Sequence, residues 1–235
     1  MTEAEWSKAT DPRLMLEAVQ EPASDRKLRL FAAACCRIVQ DLLVDERSRA
    51  GVGAVEDFAD STNLDELAVA YERCMRAVED LGGDSDSAEL GVAKFHAAVA
   101  ALDSAEIPVD RAVALEALRQ ARLARAYYLF EKAHPDAGEF PHPMEPADGT
   151  QHAGALRCIF GNPFRPVVFD PRWRSADAVG VARGIYEDRA FDRLPLLADA
   201  LMDAGCDDEQ VIGHCRSDGP HVRGCWVVDM ILGKE

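Results

Sequence analysis

The chain has 235 residues and a formal net charge of -16, and 48% of its residues are hydrophobic. This length fits one large domain or two small ones, with enough apolar material for a buried core. No stretch approaches the roughly 18 apolar residues of a membrane span, and the acidic N-terminus is unlike a secretory signal. The acidity also disfavours a nucleic-acid backbone as partner. We therefore expect a cytoplasmic protein with no membrane attachment.

Apolar residues recur at three- and four-residue steps through most of the first half, which is the pattern of amphipathic α-helices. Ser24 or Asp25 can cap the first of these helices, and Asn63 can cap the second. The predicted helices of this half cover residues 28–42, 64–81, about 87–102 and 108 to about 132.

Residues 134–152 break the helical pattern with four prolines, two glycines and three histidines. This composition predicts a linker or a long loop. It divides the chain into an N-terminal helical region, 1–133, and a C-terminal helical region, 153–235. We expect the two regions to pack as one unit, so the fold class is a mostly α, multi-helical bundle.

The C-terminal region alternates short helices with one extended segment. The stretch IFGNPFRPVVFDPRW, 159–173, contains three prolines and predicts extended chain, with a short strand possible at 167–169. The predicted helices lie near 153–160, 176–188, 195–205, from a cap at Asp207 to Cys215, and from Pro220 to Gly233.

Between residues 152 and 193 there are seven arginines and no lysine. Arginines suit bidentate contacts with carboxylates or phosphates, although they can equally pair with acids of the same chain. The candidate binding residues are Arg157, Arg165, Arg172, Trp173 and Arg174. They favour a protein-binding or adaptor module with an unidentified protein partner, and less strongly a protein that modulates nucleic acids.

Chemistry-bearing side chains concentrate in GHCRSDGPHVRGCW, residues 213–226. If the last helix starts at Pro220, His221 and Cys225 are four residues apart and share one helix face. That spacing suits two ligands of a zinc ion. The chain lacks a CxxC pair and a Walker, GxGxxG, HExxH or GxSxG motif, so an enzyme is the less favoured reading.

His214 and Cys215 end the preceding helix, and the early helix offers Cys36 as a distant ligand. The predicted metal set is therefore His214, Cys215, His221, Cys225 and Cys36. It would serve a zinc-stabilised domain or a metal-dependent enzyme. Two alternatives stay open: the cysteines are buried as small apolar residues, or Cys215 beside His214 is a reactive thiol.

Four further segments stand out in the sequence: SDRKLRLFAAACCR, IFGNPFRP, YEDRAFDRLPLLADALMDAGC and HCRSDGPHVRGCWVVDMILGKE. Together they resemble a family of planctomycete-type bacterial proteins. The resemblance implies a bacterial cytoplasmic protein and brings no catalytic residue with it.

Overall fold

A computed structural model of the chain describes residues 1–19, 23–84, 91–137, 140–141 and 143–234. Over these ranges the protein is a mostly α, multi-helical bundle without strands, as predicted. The helices are α1 Glu3–Lys8, α2 Pro12–Ala18, α3 Asp25–Ile38, α4 Glu46–Ser61, α5 Leu64–Asp84, α6 Gly91–Ser104, α7 Arg111–Ala133, α8 Thr150–Phe160, α9 Ala176–Asp188, α10 Leu194–Asp203, α11 Glu209–Cys215 and α12 Trp226–Leu232. In the described part of the chain, no helix is long and apolar enough to cross a membrane.

Side-chain caps fix several helix starts and correct two predicted ones. Ser24 accepts a hydrogen bond from the Lys27 amide at the start of α3. The helix α7 begins after Asp110, whose carboxylate accepts the Val113 amide, and not at Pro108. Asp208, not Asp207, caps α11. In each case the acceptor satisfies an amide that the first helical turn leaves without a partner.

The last helix begins later than predicted, at Trp226 instead of Pro220. Gly224 has a φ of 90°, which is incompatible with the interior of a right-handed helix. The segment from Pro220 to Cys225 is therefore a loop that leads into α12. His221 and Cys225 do not share a helix face, so that part of the prediction was wrong.

The interior consists of two apolar clusters. The first is built from α1 to α7 and includes Leu156 and Ile159 of α8. The second is built from α9 to α12 and includes Cys158 of the same helix. Because α8 packs against α2 and α3 on one side and α12 on another, it is shared by both clusters. We call α1–α7 the N-terminal bundle and α9–α12 the C-terminal unit.

Ala147 and Phe140, two of the described residues between α7 and α8, contact α7. Arg122 of α7 donates from Nε to the Ala147 carbonyl at 2.7 Å, and the Ala147 amide donates back to the Arg122 carbonyl. Phe140 contacts the rings of Tyr127 and Phe130. Residues 138, 139 and 142 of the predicted linker 134–152 lie outside the described residues.

Candidate metal centre

Four side chains from separate positions in the chain converge between α8 and the C-terminal unit. They are Cys158 of α8, His214 in the last turn of α11, His221 in the following loop, and Cys225 immediately before α12. Their ligand atoms all lie within 4.8 Å of one another. Two sulfurs and two nitrogens at such distances form a Cys2His2 group that could hold a metal ion.

The individual distances match a tetrahedral arrangement of nitrogen and sulfur donors. Nε2 of His214 lies 3.2 Å from Sγ of Cys225, and Nδ1 of His221 lies 3.8 Å from Sγ of Cys158. The edges of a zinc tetrahedron with N and S ligands are about 3.3–3.8 Å, as follows from bond lengths of about 2.0 and 2.3 Å. The four atoms thus need to approach by about 1.5 Å at most to bind one ion.

Neighbouring backbone groups orient two of the four ligands. Nε2 of His221 lies 3.0 Å from the Ser217 carbonyl, which accepts a hydrogen bond from it and leaves Nδ1 to face the other ligands. The Val222 amide donates to Sγ of Cys158 at 3.4 Å. Such contacts fix the tautomer of a ligating histidine and the orientation of a ligating thiolate.

The two cysteines are buried, whereas the two histidines are partly exposed. Burial opposes ionisation of Cys225, but hydrogen bonds from Cys158, His214 and His221 outweigh it and hold the pKa of this thiol well below its usual value. Burial and the neighbouring Cys225 raise the pKa of Cys158 instead. Two buried thiolates repel each other, so the pKa values of the two sulfurs shift in opposite directions.

Of the predicted metal ligands, His214, His221 and Cys225 come together, while Cys36 and Cys215 lie outside the group. Cys36 donates to the Ala32 carbonyl of its own helix at 3.4 Å, and burial raises its pKa to about 12. Burial also raises the pKa of Cys215, which makes a reactive thiolate at that position unfavourable.

The residue that sequence reasoning missed is Cys158. It lies 63 residues before His221 and has no neighbouring histidine in the sequence. The available signal is that α8 is apolar on most of its circumference, which indicates neighbours on more than one side. The periodicity does not tell which of those neighbours carries the other ligands.

The candidate binding arginines mostly contact their own chain. Arg157 donates to the carbonyls of Trp6 and Ala9, and Arg174 donates to those of Met230 and Ile231. Arg172 forms an exposed pair with Asp170. The backbone carbonyl of Arg165 accepts a hydrogen bond from Gln210, and Trp173 is buried.

Comparison with models of protein families, with curated proteins and with solved structures gives no match.

Proposed function

We propose that this is a zinc-binding helical protein, in which Zn²⁺ held by Cys158, His214, His221 and Cys225 stabilises the fold. The observation that carries the proposal is the convergence of four N and S ligand atoms within 4.8 Å. Two thiolates and two imidazoles suit Zn²⁺, which prefers these donors in tetrahedral geometry. The full set of four protein ligands leaves no position for a substrate, which is typical of a structural site.

The charge balance of the group supports a bound cation. A buried pair of cysteines can ionise together only if a positive charge compensates the second thiolate. The contact from the Val222 amide to Cys158 already favours a thiolate at the sulfur whose pKa is raised without metal. A divalent ion would favour the thiolate form of both sulfurs and neutralise their charge.

The direct test is metal analysis of protein purified without a histidine tag, stripped with a chelator and reloaded with Zn²⁺. We expect about one zinc per chain, and a Co²⁺-loaded sample with the visible absorption of tetrahedral thiolate coordination. His221→Ala should lose the metal. The matched control is His134→Ala, because His134 is exposed at the end of α7.

Zinc below about 0.2 per chain in the wild type would overturn the proposal, because a closed structural site binds a full equivalent. Equal zinc content in the wild type and in His221→Ala would place the metal elsewhere.

A further inference from the structure

The loop between His221 and Cys225 is one of the parts of the C-terminal unit that contact the N-terminal bundle. We call residues 222–224 the docking loop. Val222 packs against both apolar clusters. At Gly224 a β-carbon would lie only 2.9 Å from Cδ1 of Leu30 in α3. The loop backbone therefore approaches α3 as closely as a glycine allows.

The middle residue of the docking loop makes a polar contact across the same boundary. Arg223 donates from Nη1 to Asp57 at 2.8 Å and from Nη2 to Asp60 at 3.1 Å, both on α4. Its guanidinium also lies over the ring of Tyr186 in α9, 4.9 Å from the ring centroid. The side chain is only 15% exposed, so these contacts are partly shielded from water.

Asp60 is contacted by residues of both the N-terminal bundle and the C-terminal unit. Besides Arg223, it accepts hydrogen bonds from Arg26 of α3 and from the Tyr186 hydroxyl, and Lys234 pairs with it at 3.0 Å. Arg26 continues the network to Asp229 of α12, at 2.6 Å. Residues from α3, α4, α9 and α12 are thus joined by charge-assisted hydrogen bonds.

The docking loop has metal ligands on both sides. His221 precedes it and Cys225 follows it, so coordination would fix both of its ends to Cys158 of α8. A five-residue span that contains a glycine has high conformational entropy when its ends are free, and an arginine at its centre then pairs weakly with distant carboxylates. With both ends held, the arginine is positioned before it meets Asp57 and Asp60.

We infer that metal binding controls how the C-terminal unit docks on the N-terminal bundle, with Arg223 as the residue that transmits the metal state to α4. This inference rests on the proposed zinc site. Loss of the metal frees the docking loop, and the contacts of Arg223 with Asp57 and Asp60 then open. The Asp60 network loses one of its cations, while the helices of the N-terminal bundle stay folded.

The test is hydrogen–deuterium exchange followed by mass spectrometry on the full chain, with and without zinc, on peptides covering α4. Zinc content is measured on the same samples. In the wild type, we expect metal removal to raise exchange in the Asp57–Asp60 segment about tenfold, the effect of losing a charge-assisted hydrogen bond. Arg223→Gln should show this faster exchange even with zinc bound.

The matched control is Arg216→Gln. Arg216 also follows α11, but its partner Asp199 belongs to the C-terminal unit, at 2.8 Å. This variant should respond to zinc as the wild type does. If all three proteins bind zinc and α4 exchange does not change with metal or with Arg223→Gln, the inference is overturned and the zinc site stands. If the wild type binds no zinc, both are overturned.

Discussion

The N-terminal bundle and the C-terminal unit both bury cysteines in their apolar cores, but in the described residues only the C-terminal unit contributes one to a Cys2His2 group. Cys35, Cys36 and Cys74 of the bundle are buried outside that group and pack as small apolar side chains. Cys225, at the start of α12, is equally buried but meets two histidines and a second thiol. Burial alone therefore does not distinguish a core cysteine from a ligand, whereas histidines within bonding distance do.

The longest helices lie in the N-terminal bundle. Besides the short α1 and α2, the bundle contains helices of up to 23 residues and has an alanine-rich interior in which the helices approach closely. In the C-terminal unit, α11 and α12 have seven residues each. Such short helices are not stable alone and bury little apolar surface, so in the proposed site a coordinated ion would add stability to this unit.

The strongest way to break this comparison is Cys225→Ser, which removes one ligand from the C-terminal unit. We expect the variant to lose zinc and at least about 4 kcal/mol of stability in that unit, since metal binding and folding are coupled. Helicity of the N-terminal bundle should remain. Circular dichroism during thermal unfolding should show a separate early transition that the wild type lacks.

Cys36→Ala is the matched control in the bundle. It should keep the zinc and lose only about 1–2 kcal/mol, because a small buried thiol is replaced by a smaller apolar group. Zinc loss in Cys36→Ala would show that Cys36 is a ligand after all and would contradict the four-residue site.

A second comparison sets Arg157 against Arg172 to test the candidate binding segment. Arg157→Met should destabilise the protein by about 2 kcal/mol, because the carbonyls of Trp6 and Ala9 lose a charged donor. Arg172→Met should leave the free energy of unfolding nearly unchanged, since its pair with Asp170 is exposed to water. Urea denaturation measures both. Equal costs would show that Arg157 does not link α1 to α8.

The smallest expected effect concerns His152 of α8, a buried histidine whose two ring nitrogens have no hydrogen-bond partner among the described residues. Burial, and then Arg122, lower its pKa from 6.5 to about 4. The unfolded chain therefore takes up this proton first, and stability falls as the pH drops from 6.5 towards about 4. His152→Leu should remove that loss and gain about 1 kcal/mol at pH 7.

Urea denaturation at pH 7 and pH 5 checks the His152 prediction, with His134→Leu as the exposed control. A wild-type stability that does not change between the two pH values would contradict it.

The sequence was sufficient for the fold class, because apolar spacing reports helices directly. It also located three of the four site residues, since His214, His221 and Cys225 lie close together in the chain. It placed the start of α12 wrongly because Pro220 is a common first-turn residue, whereas the left-handed φ of Gly224 is a property of the folded loop. Cys158 could not be assigned to the group from the sequence, because its partners are determined by how α8 packs against the C-terminal unit.

The order of the ligands along the chain has a consequence for biosynthesis. Cys158 leaves the ribosome 63 residues before His221, which is roughly 3–13 s at 5–20 residues per second. The N-terminal bundle and α8 can fold during that interval while Cys158 is still without its partners. In the proposed site, metal capture would therefore follow folding of the N-terminal bundle, and a cell short of zinc would accumulate chains with a finished bundle and an unclosed C-terminal unit.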